Sequence, residues 1–506
     1  MERSESGSAY SINNARRSWL WLLAAIPFLA CANGLNSVPL AAWLAPAFLL
    51  RFVRMQRPAI GLPVAYVLLT AAMGFQFRGM IPIPGIWYVV FLMCFGITLV
   101  APYVIDRFLS TRLSCIPRSL VFPSSWVLAE YLVSLSPFGT WGSAAYSQYG
   151  DLALLQVLSI TGLEGVTFLI GWFAAVMNGL MEEGRSSQRA MVSASVCIGT
   201  IGLVVLVGGL RLSVYPPDAQ TVRIASLSRP KLTTEVSNTL WEHAFTSGLS
   251  LEEQHQFQKW GDSVADTLFD QIRHEADAGA RMVFWSEGGV WIEKEREAML
   301  IERGKDLAAN KKIYLGMSLC AIDWKPSVHV EIKLILIDPK GQVAWEYRKT
   351  QLVPGLEAAT AIPGDGRLQV LETPYGRLSS IICFDADFPR LISQAGDVGA
   401  DIVLNPSNDG RGIDPWHTQM ASFRSIEQGF SQIRQTYEGL SAAYDYQGRT
   451  LAAMDDFATG SHVMTSEVPT KGTRTLYGIL GDWLVGACLI GLLLLTVQSY
   501  YARRGA

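Results

Sequence analysis

Charged residues are distributed very unevenly along this 506-residue chain. Half of all residues are hydrophobic, 17% are charged, and the mean hydropathy is +0.24. Long segments before residue 212 contain almost no charge, residues 213–475 contain most of the Asp, Glu and Lys, and a final apolar run follows. A single soluble globule is a poor description of such a chain, so we expect a membrane region that carries one polar domain.

Eight apolar segments approach the length of about 20 residues that a helix needs to cross a bilayer. They are 18–33, 38–53, 60–77, 85–105, 119–135, 155–181, 190–212 and 476–500. The first two and the fifth are short for a full crossing. The pattern predicts a transmembrane domain of about seven helices over 1–212, an extracytoplasmic domain over 213–475, and a transmembrane helix with a cytoplasmic tail over 476–506.

Basic residues fall in alternate connections between these spans. They are Arg16, Arg17, Arg51, Arg54, Arg57, Arg107, Arg112, Arg118, Arg185, Arg189, Arg503 and Arg504, whereas the other short connections contain only Arg78. Because short basic loops stay in the cytoplasm, both termini are predicted to be cytoplasmic and residues 213–475 to lie outside. In a bacterium this is a multi-pass inner-membrane protein with a periplasmic domain. A cleaved signal peptide beginning at Arg16-Arg17 is a less favoured alternative.

Composition also argues against several kinds of partner. The net charge of -3 is small for this length and gives no reason to expect nucleic acid. The seven cysteines include no Cys-x-x-Cys pair, so we expect no metal, and no motif calls for a cofactor. Only Cys320 and Cys383 lie in the polar domain. They could form a disulfide in an oxidising compartment, but the apolar neighbours of Cys320 favour an inert core thiol.

Three reactive side chains in the polar domain each follow a strand-like run. Cys383 ends the run Ser379–Cys383, Glu287 follows Val283-Phe284-Trp285, and Lys349 follows Tyr347-Arg348. A carboxylate can accept a proton, a thiolate can attack a carbonyl, and an ammonium can stabilise the oxyanion that develops. These residue types therefore suit acyl transfer through a thioester. Each also has a structural alternative, since a cysteine at a strand end is often part of a core and lysines are usually solvated.

The remaining pattern of the polar domain is α/β. Strand-like runs alternate with charged helical stretches at 251–278 and 293–309, which predicts layers of helices and sheets. Glu130 and Glu164 fall within predicted spans, where pairing inside the helix bundle is favoured over catalysis. His417 could bind substrate, although a lone His on a helix is more often simply packed.

The contexts of Glu287, Lys349 and Cys383 resemble the Glu-Lys-Cys triad of the nitrilase (carbon-nitrogen hydrolase) superfamily. Cys383-Phe384-Asp385-Ala386-Asp387-Phe388-Pro389 is close to the cysteine motif of its soluble amidases, and Ala400–Ser407 resembles the strand and loop that follow. This resemblance implies an α-β-β-α sandwich.

One membrane-bound branch, the bacterial apolipoprotein N-acyltransferase family, has the same layout of spans and polar domain. Lys349–Pro354 followed by Glu357 resembles its lysine motif, and Ser407-Asn408-Asp409 with Pro415-Trp416-His417 resembles the segment after its cysteine. The resemblance implies that Cys383 takes an acyl chain from a phospholipid. The α-amino group of a lipoprotein's diacylglyceryl-cysteine then collects it. Glu357, Phe384 and Asp385 are implied as substrate or secondary-site residues.

Three segments depart from that family's pattern. Its Gln-Gly-Asn on the first strand is Ser226-Leu227-Ser228 here, its Tyr-Glu after the cysteine is Phe384-Asp385, and its aromatic-Phe-Gly is Gly410-Arg411-Gly412. These departures concern substrate recognition more than the triad. A membrane-tethered amidase, in which water resolves the thioester, therefore stays open as an alternative. A non-enzymatic scaffold leaves the three polar motifs unexplained.

Overall fold

The computed structural model describes residues 2–184, 186–217, 220–231, 240, 243, 249–324, 329–458 and 462–504. Arg185, used above for orientation, lies outside these ranges. Two compact units are present: one contains residues 1–214 and 480–506, and the other contains residues 215–479. The boundaries predicted from sequence were 212 and 475. We refer to the two units as the membrane unit and the polar domain.

The helices are numbered in chain order. They are α1 (Glu2–Ala30), α2 (Pro39–Met55), α3 (Pro58–Gln76), α4 (Ile86–Leu109), α5 (Cys115–Ser134), α6 (Leu152–Leu155), α7 (Leu158–Thr161), α8 (Leu163–Glu183), α9 (Gln188–Val214), α10 (Leu251–Asp277), α11 (Glu297–Lys311), α12 (Leu356–Thr360), α13 (Pro389–Asp397), α14 (Trp416–Gln428), α15 (Leu476–Leu480) and α16 (Trp483–Arg504).

Five helices of the membrane unit are long and apolar enough to cross a bilayer. They are Pro58–Gln76, Ile86–Arg112, Leu163–Glu183, Gln188–Val214 and Trp483–Tyr501. These correspond to five of the eight predicted spans. The other three spans, 18–33, 38–53 and 119–135, fall in α1, α2 and α5 and stay predictions; α2, for example, has 17 residues.

The sixth predicted span, 155–181, is not one continuous helix. Gly162 adopts φ 68° and ψ -167°, a conformation that favours glycine, and it separates the short α7 from α8. The apolar pattern runs through this break, which is why hydropathy alone merged the two helices.

Glu130 in α5 is bound by polar groups of the membrane unit. Its carboxylate accepts hydrogen bonds from Ser143 Oγ (2.7 Å), Ala144 N (3.0 Å) and Thr167 Oγ1 (2.8 Å). Glu130 thus links α5 to the segment at 143–144 and to α8. This supports the structural interpretation of Glu130 over a catalytic one.

The polar domain contains thirteen strands among its described residues. They are β1 (Thr221–Leu227), β2 (Met282–Trp285), β3 (Val290–Glu293), β4 (Tyr314–Asp323), β5 (His329–Ile337), β6 (Val343–Arg348), β7 (Val370–Thr373), β8 (Gly376–Ser380), β9 (Ile402–Asn408), β10 (Ser431–Tyr437), β11 (Leu440–Tyr444), β12 (Thr450–Asp455) and β13 (Val463–Pro469).

These strands form two sheets. The first has the order β13-β1-β2-β4-β5-β6, with β3 also paired to β4, and the second has the order β12-β11-β10-β9-β8-β7. The sheets pack face to face: a Cβ placed on Gly316 of β4 would lie 3.7 Å from Leu404 of β9. Helices α10 and α11 pack on the first sheet, and α14 packs on the second. This confirms the predicted α-β-β-α sandwich.

Strand direction explains where the reactive residues gather. β2 is parallel to β4, and β6 has the same direction because each of β4–β5 and β5–β6 is antiparallel. The carboxyl ends of β2 and β6 therefore lie at one edge of the first sheet. Residues 286–287 and 349 follow these ends directly, so the strand-end positions noted in the sequence converge there.

Candidate active site

The three residues predicted to be catalytic lie together and are buried. Their exposed fractions are 5% for Glu287, 1% for Lys349 and 3% for Cys383. Lys349 Nζ is 2.7 Å from Glu287 Oε1, and the charges of both groups act on the Cys383 thiol. The site thus has a buried carboxylate in contact with an ammonium and near a thiol.

The backbone at Cys383 turns sharply after the strand. Cys383 has φ 49°, in the left-handed region that residues other than glycine rarely adopt, and it begins a 3-10 turn over Cys383–Asp387. Its N–H donates to Asn405 Oδ1 (2.9 Å), and its Sγ lies 3.7 Å from the carbonyl oxygen of Asn408. Strain of this kind is often found at functional sites, and here the turn directs the thiol to the edge of the sheets.

Glu357 is a second carboxylate at Lys349. Its Oε1 and Oε2 lie 2.8 Å and 3.0 Å from Lys349 Nζ, and the N–H of Val353 donates to Oε1. The structure therefore places Glu357, predicted only as a secondary residue, in direct contact with the lysine. One ammonium is shared by two carboxylates.

Electrostatics keep the thiol protonated at rest. Burial raises the pKa of Cys383, and the negative charge of Glu287 raises it further, while Lys349 and His417 act in the opposite direction. Burial likewise raises the pKa of Glu287 against the opposing effect of Lys349. Glu287 is thus a carboxylate whose proton affinity is increased beside a thiol, which is the arrangement that a general base requires.

Lys349 remains an ammonium. Burial acts to lower its pKa, but Glu287 and Glu357 outweigh burial and hold the pKa well above its usual value. A permanently charged, buried donor next to Cys383 can stabilise negative charge on an oxygen of a group bonded to Sγ.

Asp385 links the lysine loop to the cysteine turn. Oδ2 accepts hydrogen bonds from Tyr347 Oη (2.7 Å) and Ile382 N (3.0 Å), and Oδ1 accepts from Gln351 N (2.7 Å) and Thr350 N (3.2 Å). Burial raises the pKa of this carboxyl to about 6, although the donors act to lower it. Its role in these contacts is to position the two loops.

Phe384, also predicted as a secondary-site residue, is 7% exposed. Its ring packs edge-on against Phe388, with 5.2 Å between the centroids. These contacts make it part of the packing beneath the cysteine turn.

A polar network on the other loop beside Cys383 was not predicted. His417 Nδ1 is 2.8 Å from Asp409 Oδ1, His417 Nε2 is 3.2 Å from Asp387 Oδ2, and Arg434 Nη2 is 2.7 Å from Asp409 Oδ1. Burial and Arg434 act to lower the pKa of His417, but the two aspartates outweigh them and raise it well above its usual value. The sequence motifs contained His417 and Asp409, but no signal linked them to Arg434.

Cys383, Asp409 and His417 each have a potential metal-ligand atom within 4.8 Å of the others. The Asp409 oxygen that bonds to His417 also accepts from Arg434, so a guanidinium already occupies the space at this donor set. Cys320, the other cysteine of the polar domain, is a buried free thiol, as is Cys383. The disulfide alternative is therefore absent from the structure.

Two family models match the chain, one in each unit. Residues 24–176 match the model described as the apolipoprotein N-acyltransferase N-terminal domain, and residues 247–476 match the model described as carbon-nitrogen hydrolase. The chain belongs to the apolipoprotein N-acyltransferase family. The first match decides this, because a carbon-nitrogen hydrolase domain alone would fit the amidases equally well.

Two relatives agree with this assignment. An apolipoprotein N-acyltransferase from Geobacter metallireducens is 24% identical over 75% of this chain and 74% of its own length. One from Pasteurella multocida is 26% identical over 79% of this chain and 77% of its own length. Among solved structures, an amidase from Nesterenkonia sp. is 20% identical with a TM-score of 0.38, covering 50% of this chain and 92% of the amidase.

Proposed function

We propose that this protein is an apolipoprotein N-acyltransferase that moves an acyl chain from a phospholipid, through a thioester on Cys383, to the α-amino group of a lipoprotein's N-terminal diacylglyceryl-cysteine. The observation that carries the proposal is the buried Glu287–Lys349 ion pair, whose charges act on the Cys383 thiol, in a chain whose membrane unit matches the family's N-terminal domain.

The first half-reaction forms the thioester. Glu287 takes the Cys383 proton as the sulfur attacks the carboxyl ester of the donor, and Lys349 stabilises the resulting oxyanion. The intermediate collapses by breaking its bond to the glycerol oxygen. Glu287 returns the proton to that oxygen, so a lysophospholipid leaves and an acyl-Cys383 remains.

The second half-reaction forms the amide. The acceptor's neutral α-amino group attacks the thioester carbonyl, and Glu287 takes a proton from the nitrogen. Collapse of the intermediate expels the Cys383 sulfur, which recovers its proton from Glu287. Because burial disfavours the thiolate, Lys349 and His417 are the charges available to stabilise the sulfur as it leaves.

The polar domain is proposed to lie on the periplasmic face of the inner membrane, where exported lipoproteins would be accessible. The asymmetry of basic residues between alternate connections supports this orientation. Membrane lipids would supply the donor within the plane of the bilayer, and the reaction as written needs no cofactor.

The decisive experiment is intact-mass spectrometry of the full-length protein after incubation with a phospholipid of defined acyl chains. We expect one acyl chain on Cys383, removable by hydroxylamine and transferred as an amide to a diacylated lipopeptide with a free amino group. Cys383→Ala should not be charged. Cys320→Ala removes a buried thiol of the same domain and is the matched control, which should charge normally.

An amidase would behave differently in the same experiment. Release of ammonia and free carboxylic acid from small amides, with no charging by phospholipid, would reject the acyltransferase and favour hydrolysis.

A further inference from the structure

Two segments that depart from the family's motifs lie next to each other in the polar domain. The first, Ser226-Leu227-Ser228, leads into Arg229 and Lys231, and the second contains Arg411. Arg229 Cζ lies 3.7 Å from the ring centroid of Tyr437, and Arg411 Cζ lies 3.8 Å from that of Phe457. Lys231 Nζ lies 5.6 Å from the same Phe457 ring. We call these three basic and two aromatic residues the basic rim.

The basic rim is connected to the active site at both of its segments. The N–H of Arg229 donates to Ser286 Oγ (3.1 Å), the neighbour of Glu287. The carbonyl of Tyr437 accepts from the N–H of Asp409 (3.1 Å), and Asp409 Oδ1 is 4.0 Å from Cys383 Sγ.

Arg411 follows Asp409 by two residues. Because consecutive Cα atoms are about 3.8 Å apart, its Cα lies within about 8 Å of that of Asp409. The rim therefore borders the approach to the thiol.

Among the residues that the structure describes, two of the rim's three charges have no carboxylate within salt-bridge distance. Lys231 Nζ pairs with Asp456 Oδ2 at 3.3 Å. Within the described ranges, Arg229 and Arg411 form no salt bridge. Burial raises the pKa of Asp414 and the charge of Arg411 acts to lower it, but Asp414 Oδ1 accepts a hydrogen bond from the N–H of Leu440.

Stacking also prepares these guanidinium groups for a ligand. An arginine that lies flat on an aromatic ring is held in place while the N–H groups at its edge remain available. Such a group is suited to the paired oxygens of a phosphate or a carboxylate. Arg229 and Arg411 thus form an oriented anion receptor beside a nucleophile.

We propose that the basic rim binds the phosphate group of the acyl donor. This inference rests on the proposed function, and it adds the feature by which the donor is recognised. In a glycerophospholipid the phosphate is only a few covalent bonds from the ester that Cys383 attacks, so an ester carbonyl at Sγ places the phosphate within reach of Arg411. The acceptor's diacylglyceryl-cysteine has no obligatory anion near its amino group. The rim therefore distinguishes a phospholipid from a neutral diacylglycerol.

The first test compares two donors that differ only in the phosphate headgroup. Full-length protein in detergent is charged with phosphatidylglycerol or with diacylglycerol carrying the same chains, and the rate of thioester formation is measured by intact mass. Arg411→Gln should lower the ratio of the two rates by about tenfold or more, the loss of one charge-assisted hydrogen bond. Arg411→Glu should lower it further, and Arg411→Lys should retain part of it.

Lys340→Gln is the matched control for these variants. Lys340 is an exposed residue of the turn between β5 and β6, at the other end of β6 from Lys349. Its replacement should leave the ratio unchanged. Equal loss with both donors, or no change in Arg411→Glu, would overturn the proposal.

The second test needs no turnover and so separates the rim from the proposed reaction. Dihexanoylphosphatidylglycerol binding to full-length Cys383→Ala is measured by calorimetry, with and without Arg411→Gln; dihexanoylglycerol is the phosphate-free comparison. Binding that needs both the phosphate and Arg411 supports the rim even if no charging occurs. Binding that is unaffected by removal of the phosphate, or unaffected by Arg411→Gln, would reject the proposed role of the rim. A slower discharge of preformed acyl-Cys383 by lipopeptide in Arg411→Gln, with charging unaffected, would assign the rim to the acceptor instead.

Discussion

Replacing Asp385 with Asn should destabilise the polar domain and slow the charging of Cys383. All four hydrogen-bond partners of the Asp385 carboxylate are donors, and three of them are backbone N–H groups. Asparagine has the same shape but turns one acceptor oxygen into a donor. The variant must therefore point an amide NH₂ at one of the two donor pairs.

The less costly orientation directs the NH₂ at Tyr347 and Ile382, because the Tyr347 hydroxyl can rotate and accept. The N–H of Ile382 is then buried without an acceptor, which costs about 1–3 kcal/mol, and the bonds to Thr350 and Gln351 lose their charge-assisted strength. In the opposite direction, the neutral amide avoids the burial penalty that raises the pKa of the carboxyl. We therefore expect a net loss of about 1–2 kcal/mol in the free energy of unfolding, which for a domain of this size is a fall in Tm of roughly 2–8 °C.

The measurement is thermal unfolding of the full-length protein in detergent at pH 8, above the pKa of about 6 for this carboxyl. Asp365→Asn, at an exposed aspartate whose side chain accepts from the N–H of Arg367, is the control and should shift Tm little. Charging of the folded variant should be at least about tenfold slower, because the loops carrying Lys349 and Cys383 lose their common link. A Tm within 2 °C of wild type together with normal charging would refute this account.

Three other perturbations test separate parts of the structure. Lys349→Met should lower the charging rate by about 10²–10³-fold and destabilise the protein by about 3–5 kcal/mol, since the buried Glu287 and the partly exposed Glu357 lose their cation; charging and thermal unfolding measure the two effects. His417→Gln should destabilise the protein most below pH 6.5. The pKa of His417 is higher in the folded protein than in the unfolded chain, so its ion pairs stabilise the fold fully below the unfolded-state pKa and lose this effect as pH rises through the folded-state pKa. A loss of stability in the variant that is constant from pH 6 to 10 would contradict the ion pairs with Asp387 and Asp409. Alkaline phosphatase fused after about residue 300 should be active and fused at the C-terminus inactive; the reverse pattern would invert the membrane orientation.

The parts of the site that sequence could predict are those fixed by local pattern. Cys383 lies three residues after the end of β8 and Lys349 directly follows β6, and the carboxyl ends of like-directed strands meet at one edge. The positions of Lys349 and Glu287 just after strands therefore predicted that the two side chains lie close together. The α-β-β-α layers were anticipated in the same way, from alternating runs and the superfamily resemblance.

Contacts between distant segments could not be read from such patterns. Arg434 occupies an ordinary position within β10, and only the register of β9 against β10 brings it to Asp409. Arg229 was not among the residues singled out from sequence, and Arg411 was only part of a segment that departs from a motif. Their proximity depends on Tyr437, which lies opposite Asn408 in that same register.

The charge balance around Cys383 is what adapts the site to a thioester mechanism. Burial and the negative charge of Glu287 together outweigh the effects of Lys349 and His417, and they keep the sulfur as a thiol until a carbonyl is present to accept its electrons. A protonated thiol is a poor target for oxidation, which matters for a domain proposed to face the periplasm. Burial, and then the charge of Glu357, likewise make Glu287 a stronger base against the opposing effect of Lys349. Protection of the resting nucleophile and its activation during attack therefore both depend on Glu287, a buried carboxylate near the thiol.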